Sequence, residues 1–258
     1  MDFPVAPASM RQSRHTASVA GRFAREAAAG GEGEVCAVFR RSFYARFPGE
    51  RYACIGEPSL GLGPLNLFVN DFVLPVMNEK LVISTDQTET WSPPASHGLP
   101  DVEAIRGMAL VPEEGLGCLI TGRHNALSEH AQPALDAIDR WLAGHTLAKE
   151  TEMLVGLGPG LTPSGDDYFG GVMLALRLTG RGSQADALWR WLAPRLKERT
   201  SAISAAHLAA AAAGEAHEAL HEVLNGRLEF DRLDAVGHCS GWDGLAGAMA
   251  VLSPGLPQ

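Results

Sequence analysis

Apolar residues recur along this chain with two different periods. From residue 34 to about 121 they come in short runs rich in β-branched and aromatic side chains, at 35–40, 43–47, 52–55, 65–69, 81–84 and 117–120. Gly, Pro, Asn and Asp separate these runs, which predicts a small antiparallel β unit, a sandwich or barrel-like sheet. From residue 123 the spacing changes. Leu127, Ala131, Leu135, Ile138, Trp141 and Leu142 recur at helical intervals and predict a helix over 125–142. The same reading predicts short helices over 166–179, 184–196, 201–213, 216–224 and 244–252. An alanine-rich stretch with interspersed arginines, 9–29, predicts an N-terminal helix stopped by Gly30-Gly31-Glu32-Gly33. Residues 91–100 read as a Pro-rich loop, and 253–258 as a frayed tail. Strands first and helices afterwards give an α+β fold. The expected division is an N-terminal helix plus β-rich domain over 1–121 and a helical domain over 122–258.

One stretch breaks both periods, Gly158-Pro159-Gly160-Leu161-Thr162-Pro163-Ser164-Gly165-Asp166-Asp167. Three glycines and two prolines exclude regular structure, and an apolar helical run follows at once. A glycine-opened loop feeding a helix N-terminus can aim several backbone N–H groups at an anion such as phosphate or carboxylate. The acidic pair suits the positive end of the helix dipole, or a metal ion. The tetrapeptide Gly156-Leu157-Gly158-Pro159 also occurs at Gly61-Leu62-Gly63-Pro64, where it leads into a strand; a tight turn needing positive φ accounts for that copy.

An echo lies near the C-terminus, where Ser240-Gly241-Trp242-Asp243-Gly244-Leu245-Ala246-Gly247-Ala248-Met249 aligns with residues 164–173. Ser, Gly, the second Asp, the second Gly and Met coincide. Each copy reads as a Ser-Gly turn, an Asp in the first helical turn, and a glycine one turn further on that permits close helix approach. The expectation is that the two helices pack at these glycines and aim both N-termini at one site. The plainer alternative is two separately capped helices sharing common cap chemistry.

Composition narrows the function classes. A net charge of −9 argues against a nucleic-acid binder or anchorage on an acidic membrane surface. No apolar run approaches the ~20 residues of a transmembrane helix, and no secretory signal is evident. Cys36, Cys54, Cys118 and Cys239 show no C-x-x-C spacing, so free thiols in a cytoplasmic protein are expected, Cys239 among them as a structural residue.

Several segments together resemble a known family: Arg41-Ser42-Phe43-Tyr44, Gly61-Leu62-Gly63-Pro64-Leu65-Asn66, Gly160-Leu161-Thr162-Pro163-Ser164-Gly165-Asp166-Asp167, Arg199-Thr200-Ser201-Ala202-Ile203-Ser204 and Gly237-His238-Cys239-Ser240-Gly241-Trp242-Asp243. In that order they look like the AllH-like subunits of oxamate carbamoyltransferase. The resemblance implies a transferase subunit acting with an FdrA-like subunit and a further partner in purine-derived allantoin breakdown. The implied reaction converts oxalurate and phosphate into oxamate and carbamoyl phosphate. The resemblance implies no residue roles.

Carbamoyl transfer needs an anion cradle, donors for a developing oxyanion and a proton shuttle. Gly158, Gly160, Thr162, Ser164 and Gly165 could form the cradle, and Ser240 with Gly241 the oxyanion donors. Asp166 and Asp167 would repel a bare phosphate; a bound Mg²⁺, or one Asp turned away as a cap, resolves the conflict. Asp167, matched by Asp243, is the better site candidate. His238, in a Gly- and Ser-rich turn, is the preferred acid–base, against a role as a hydrogen-bonding strut. Arg199 with Thr200 could hold a substrate carboxylate, or Arg199 could simply be a solvated cation at a helix end. Trp242 could floor a flat amide, against ordinary core packing. A non-catalytic anion-binding or scaffolding subunit is the second reading. The third is a zinc-dependent hydrolase, since His217-Glu218-Ala219-Leu220-His221 matches H-E-x-x-H.

Overall fold

The computed structural model describes residues 12–95, 98–108 and 110–253. Among these, β1 (Gln12–Gly21) and α1 (Arg22–Ala28) occupy the stretch whose alanines predict one helix. β1 is a strand because its neighbours supply what local preference does not: it pairs antiparallel with one strand and parallel with two others. A bulge between Ala17 and Val19 lets both Ala17 and Ala20 turn inward despite their odd spacing. Residues 9–11 and 254–258 lie outside the described residues.

The other strands follow the alternating runs closely: β2 (Gly33–Val38), β3 (Ser42–Phe47), β4 (Arg51–Gly56), β5 (Asn66–Val69), β6 (Lys80–Ser84) and β7 (Glu89–Trp91). Their order β5-β4-β3-β2-β6-β1 closes on itself through the β1–β5 pairing, giving a six-stranded barrel with β7 added beside β1. Closure removes the exposed sheet edge. Val35, Phe43, Phe47, Ile55, Leu67, Leu81 and Ile83 fill the interior together with Ala24, Ala27 and Ala28 of α1. The Gly61–Pro64 turn belongs to this barrel. Ala24 N–H donates to Pro64 O at 3.0 Å, and a Cβ on Gly21 would sit 2.1 Å from Gly63 O.

The helical part comprises α2 (Val102–Met108), a 3-10 turn (Gly117–Thr121), α3 (Ala126–Leu142), a second 3-10 turn (Lys149–Leu154), α4 (Ser164–Leu178), α5 (Gly182–Arg199), α6 (Ala202–Ala212), α7 (Glu218–Leu224), α8 (Phe230–Asp234) and α9 (Ser240–Leu252). Residues 117–120, expected as a strand, form the 3-10 turn, because a short unbroken apolar run carries no period to distinguish the two. The fold is α+β. Two compact units divide between residues 91 and 92. The reason is packing: Ile105, Leu116, Cys118, Leu119 and Ile120 belong to the helical core, not to the barrel.

Candidate functional site

The loop before α4 is shaped by three glycines in the left-handed region, Gly156 (φ 73°), Gly158 (φ 111°) and Gly160 (φ 92°). It folds back on the helix it feeds, so that Gly165 N–H donates to Leu157 O at 2.9 Å. Gly165 has no room for a side chain, since a Cβ there would lie 2.0 Å from Leu154 O. The turn before α9 repeats the N–H closure and the excluded side chain, with one left-handed glycine in place of three. Gly241 N–H donates to Val236 O at 3.3 Å, and a Cβ on Gly241 would lie 2.4 Å from Leu233 O. Gly237 (φ 54°) stands against Ser240 as Gly158 stands against Ser164. The echo therefore extends upstream of the Ser-Gly pair, with Leu154, Leu157 and Gly158 answering Leu233, Val236 and Gly237 across a shorter second loop. Both Gly165 and Gly241 were expected to aim an N–H at a ligand; their N–H groups close the turns instead.

The two helices pack on each other reciprocally. A Cβ on Gly171 would lie 1.7 Å from Gly244 O, and one on Gly247 would lie 1.9 Å from Tyr168 O. In the alignment of the two copies, Gly247 is the equivalent of Gly171 and Gly244 of Tyr168, so each contact is the mirror of the other. The side chains repeat the pattern. Ser164 hydrogen-bonds Asp243, and Ser240 hydrogen-bonds Asp167. First turn thus meets first turn, and second meets second. The helices run in the same direction with their N-termini side by side, and Thr162 Oγ1 and Ser240 Oγ are 2.9 Å apart.

Parallel helices bring two positive dipole ends together, worth about +0.5 charge each. Three aspartates surround that end, and their environments differ. Asp166 is buried and fully engaged: it accepts from Gly156 N–H at 2.8 Å, from Ser204 Oγ at 2.6 Å and from the Thr200 hydroxyl. It ties the loop to the start of α6. Asp243 is 1% exposed, and its Oδ1 accepts from Leu116 N–H at 2.5 Å and Gly117 N–H at 3.1 Å. Burial pushes its carboxyl up to about 6, while Ser164, the two N–H groups and His238 pull the other way. Asp167 is half-buried as a residue, yet its Oδ2 is enclosed without a hydrogen-bond partner. Burial raises its carboxyl well above the usual range, and the charges of Asp243 and Asp166 add to the rise; the hydroxyls of Ser240 and Thr162 offset part of it. Fully ionised, the three would carry −3 against about +1 from the helix ends. The site favours an anion only with protons on Asp167 and Asp243, the direction in which both are shifted.

The remaining candidates disperse. Trp242 is 2% exposed, stacks on Phe230 and donates to Asp234 Oδ1 at 3.0 Å, so it is core and offers no floor for a substrate. Arg199 pairs with Glu152 at 3.0 Å rather than presenting a free fork, and the Thr200 hydroxyl is spent on Asp166. His238 is exposed and paired with Glu114. The H-E-x-x-H residues are not arranged as a zinc helix. His217 lies before α7 as its cap and accepts from Ala219 N–H at 3.2 Å; His221 Nε2 accepts from Ala216 N–H at 3.1 Å; Glu218 pairs with Arg232. Burial, with the charge of His217 adding to it, lowers His221 to about 4.

No motif marks residues 113–116, yet this segment belongs with the site. It reaches the site because Gly115 (φ 75°) lets the chain approach Asp243, where a Cβ would meet Oδ1 at 2.5 Å. Its only local signal is Glu-Glu-Gly-Leu-Gly, a common loop composition.

One comparison with known families bears on this region. Residues 154–252 match the family model of oxamate carbamoyltransferase subunit AllH. This part of the chain is AllH-like. The AllH match runs from Leu154, the residue under Gly165, to the end of α9, so it contains both turns and both helices of the pair. No curated protein and no solved structure matches the chain. No helix among the described residues is long and apolar enough to cross a membrane.

Proposed function

We propose that this chain is one subunit of a carbamoyl-transferring complex of the oxamate carbamoyltransferase type, working in the cytoplasm with an FdrA-like subunit and a further partner. The observation that carries the proposal is that the AllH match covers the whole α4–α9 pair. The small anionic substrate, carbamoyl phosphate or a carboxylate such as oxalurate, sits against the adjoining N-termini. Exposed Gly160 and half-buried Gly158, Thr162 and Ser240 form its approach.

Asp167 is the proton carrier. Thr162, Ser240 and Asp167 touch one another, and two hydroxyl protons serve three contacts; a proton on Asp167 supplies the third. In transfer to phosphate, a phosphate oxygen bonds to the carbamoyl carbon and the bond from that carbon to the oxamate nitrogen breaks. Asp167 gives its proton to the departing nitrogen and regains one from the attacking phosphate, so protons balance over the turnover. The Thr162 and Ser240 hydroxyls donate to the oxyanion between these steps. Asp243 and Asp166 position the loops and touch no reacting atom. His238 belongs to the rim.

Reconstitution tests the proposal. Oxalurate and phosphate are given to the chain alone, to the partner subunits alone and to the mixture, and carbamoyl phosphate is measured. Formation only by the mixture is expected. Equal formation by the partner subunits without this chain would assign it a scaffolding role at most.

A further inference from the structure

Beside the helix pair, three side chains of metal-binding type meet: Glu114, His238 and Cys239. One ligand atom from each lies within 4.8 Å of the others. They come from two segments that are fixed against each other. Cys239 is the cap residue of α9, and His238 precedes it. Glu114 stands on the loop that Asp243 grips through Leu116 and Gly117 N–H, and that Asn125 Nδ2 grips from the other side at Glu113 O (2.9 Å) and Gly115 O (2.8 Å). Asp243 itself is in the first turn of α9, so one carboxyl fixes the glutamate's loop against the helix that bears the other two ligands.

We propose that Glu114, His238 and Cys239 bind a divalent cation of the zinc class, with a fourth position open to solvent. Zinc takes sulfur at about 2.3 Å and nitrogen or oxygen at about 2.0–2.2 Å, which sets tetrahedral ligands roughly 3.3–3.7 Å apart. The cluster needs only small rotations to reach that spacing, and its two exposed members, His238 (79%) and Glu114 (73%), are free to make them. Three protein ligands and one open position are the pattern of a reactive zinc site, not a closed structural one. This site lies outside the H-E-x-x-H segment, and it does not depend on the carbamoyl-transfer reading.

Cobalt(II) titration of the full-length chain, followed by zinc competition, tests the site. One equivalent of cobalt should bind with a thiolate-to-metal charge-transfer band, and zinc should displace it. His238→Gln and Glu114→Gln, both on the surface and harmless to the fold, should each weaken binding by about tenfold or more. Cys239→Ser should abolish the band, and His217→Ala should leave binding unchanged. Absence of the band in the wild-type chain, or unchanged affinity in both surface variants, would overturn the proposal.

Discussion

Three aspartates crowd the ends of two parallel helices, and their surroundings give them three different uses. Asp166 has every partner it needs and acts as a tether. Asp243 is a keystone: buried, bonded to two backbone N–H groups and to Ser164, and raised to about 6. Asp167 alone keeps an enclosed oxygen without a donor. The keystone has a thermodynamic signature. A carboxyl raised in the folded state holds its proton there after the unfolded chain has lost it, so its contribution to stability falls as pH rises from about 4 to about 6. A shift of this size corresponds to about 3 kcal/mol. Relative to Asp243→Asn, the wild-type chain should lose roughly that much stability across this window, read by urea unfolding at several pH values. A difference that is flat with pH, or that grows in the opposite sense, would show that Asp243 is not held in this way.

At the scale of elements, α4 and α9 are matched halves that grip each other through bare glycine backbone. Two adjacent glycines in α4 provide a matched test. A Cβ on Gly171 would strike Gly244 O at 1.7 Å, whereas one on Gly170 would meet only Ala211 Cβ at 3.6 Å. Gly171→Ala should cost about 3 kcal/mol or more, because the helices must separate. Gly170→Ala should be neutral or stabilise by up to about 1 kcal/mol, because helix propensity improves. Thermal unfolding of both variants checks the pair; equal effects would contradict the close approach. This much was legible in the sequence, since Ser-Gly turns, first-turn aspartates and a glycine one turn later are local patterns. The reach of Glu114 to His238 was not, because it depends on a contact between residues far apart in the chain and on one left-handed glycine. The uses of Asp166 and Trp242 were equally hidden, since a carboxylate or an indole reads the same in sequence whether it is buried or exposed.

At the scale of the whole molecule, the order of strands before helices was readable from period alone, and it gives the α+β fold. The barrel's closure was not readable. It depends on β1, whose alanines favour a helix until β5, β6 and β7 supply edges to pair with. The core to which residues 102–121 belong was not readable for a related reason: they are short apolar runs, and only the core they join assigns them. Each unit has its own hydrophobic core. The central claim is that the adjoining helix ends carry out proton transfer through Asp167 within a larger complex. It is tested most directly by the carbamoyl-transfer rate of the reconstituted complex carrying Asp167→Asn, with assembly verified by co-elution. The account predicts a loss of about a hundredfold or more with the complex intact. An unchanged rate in an intact complex would contradict it.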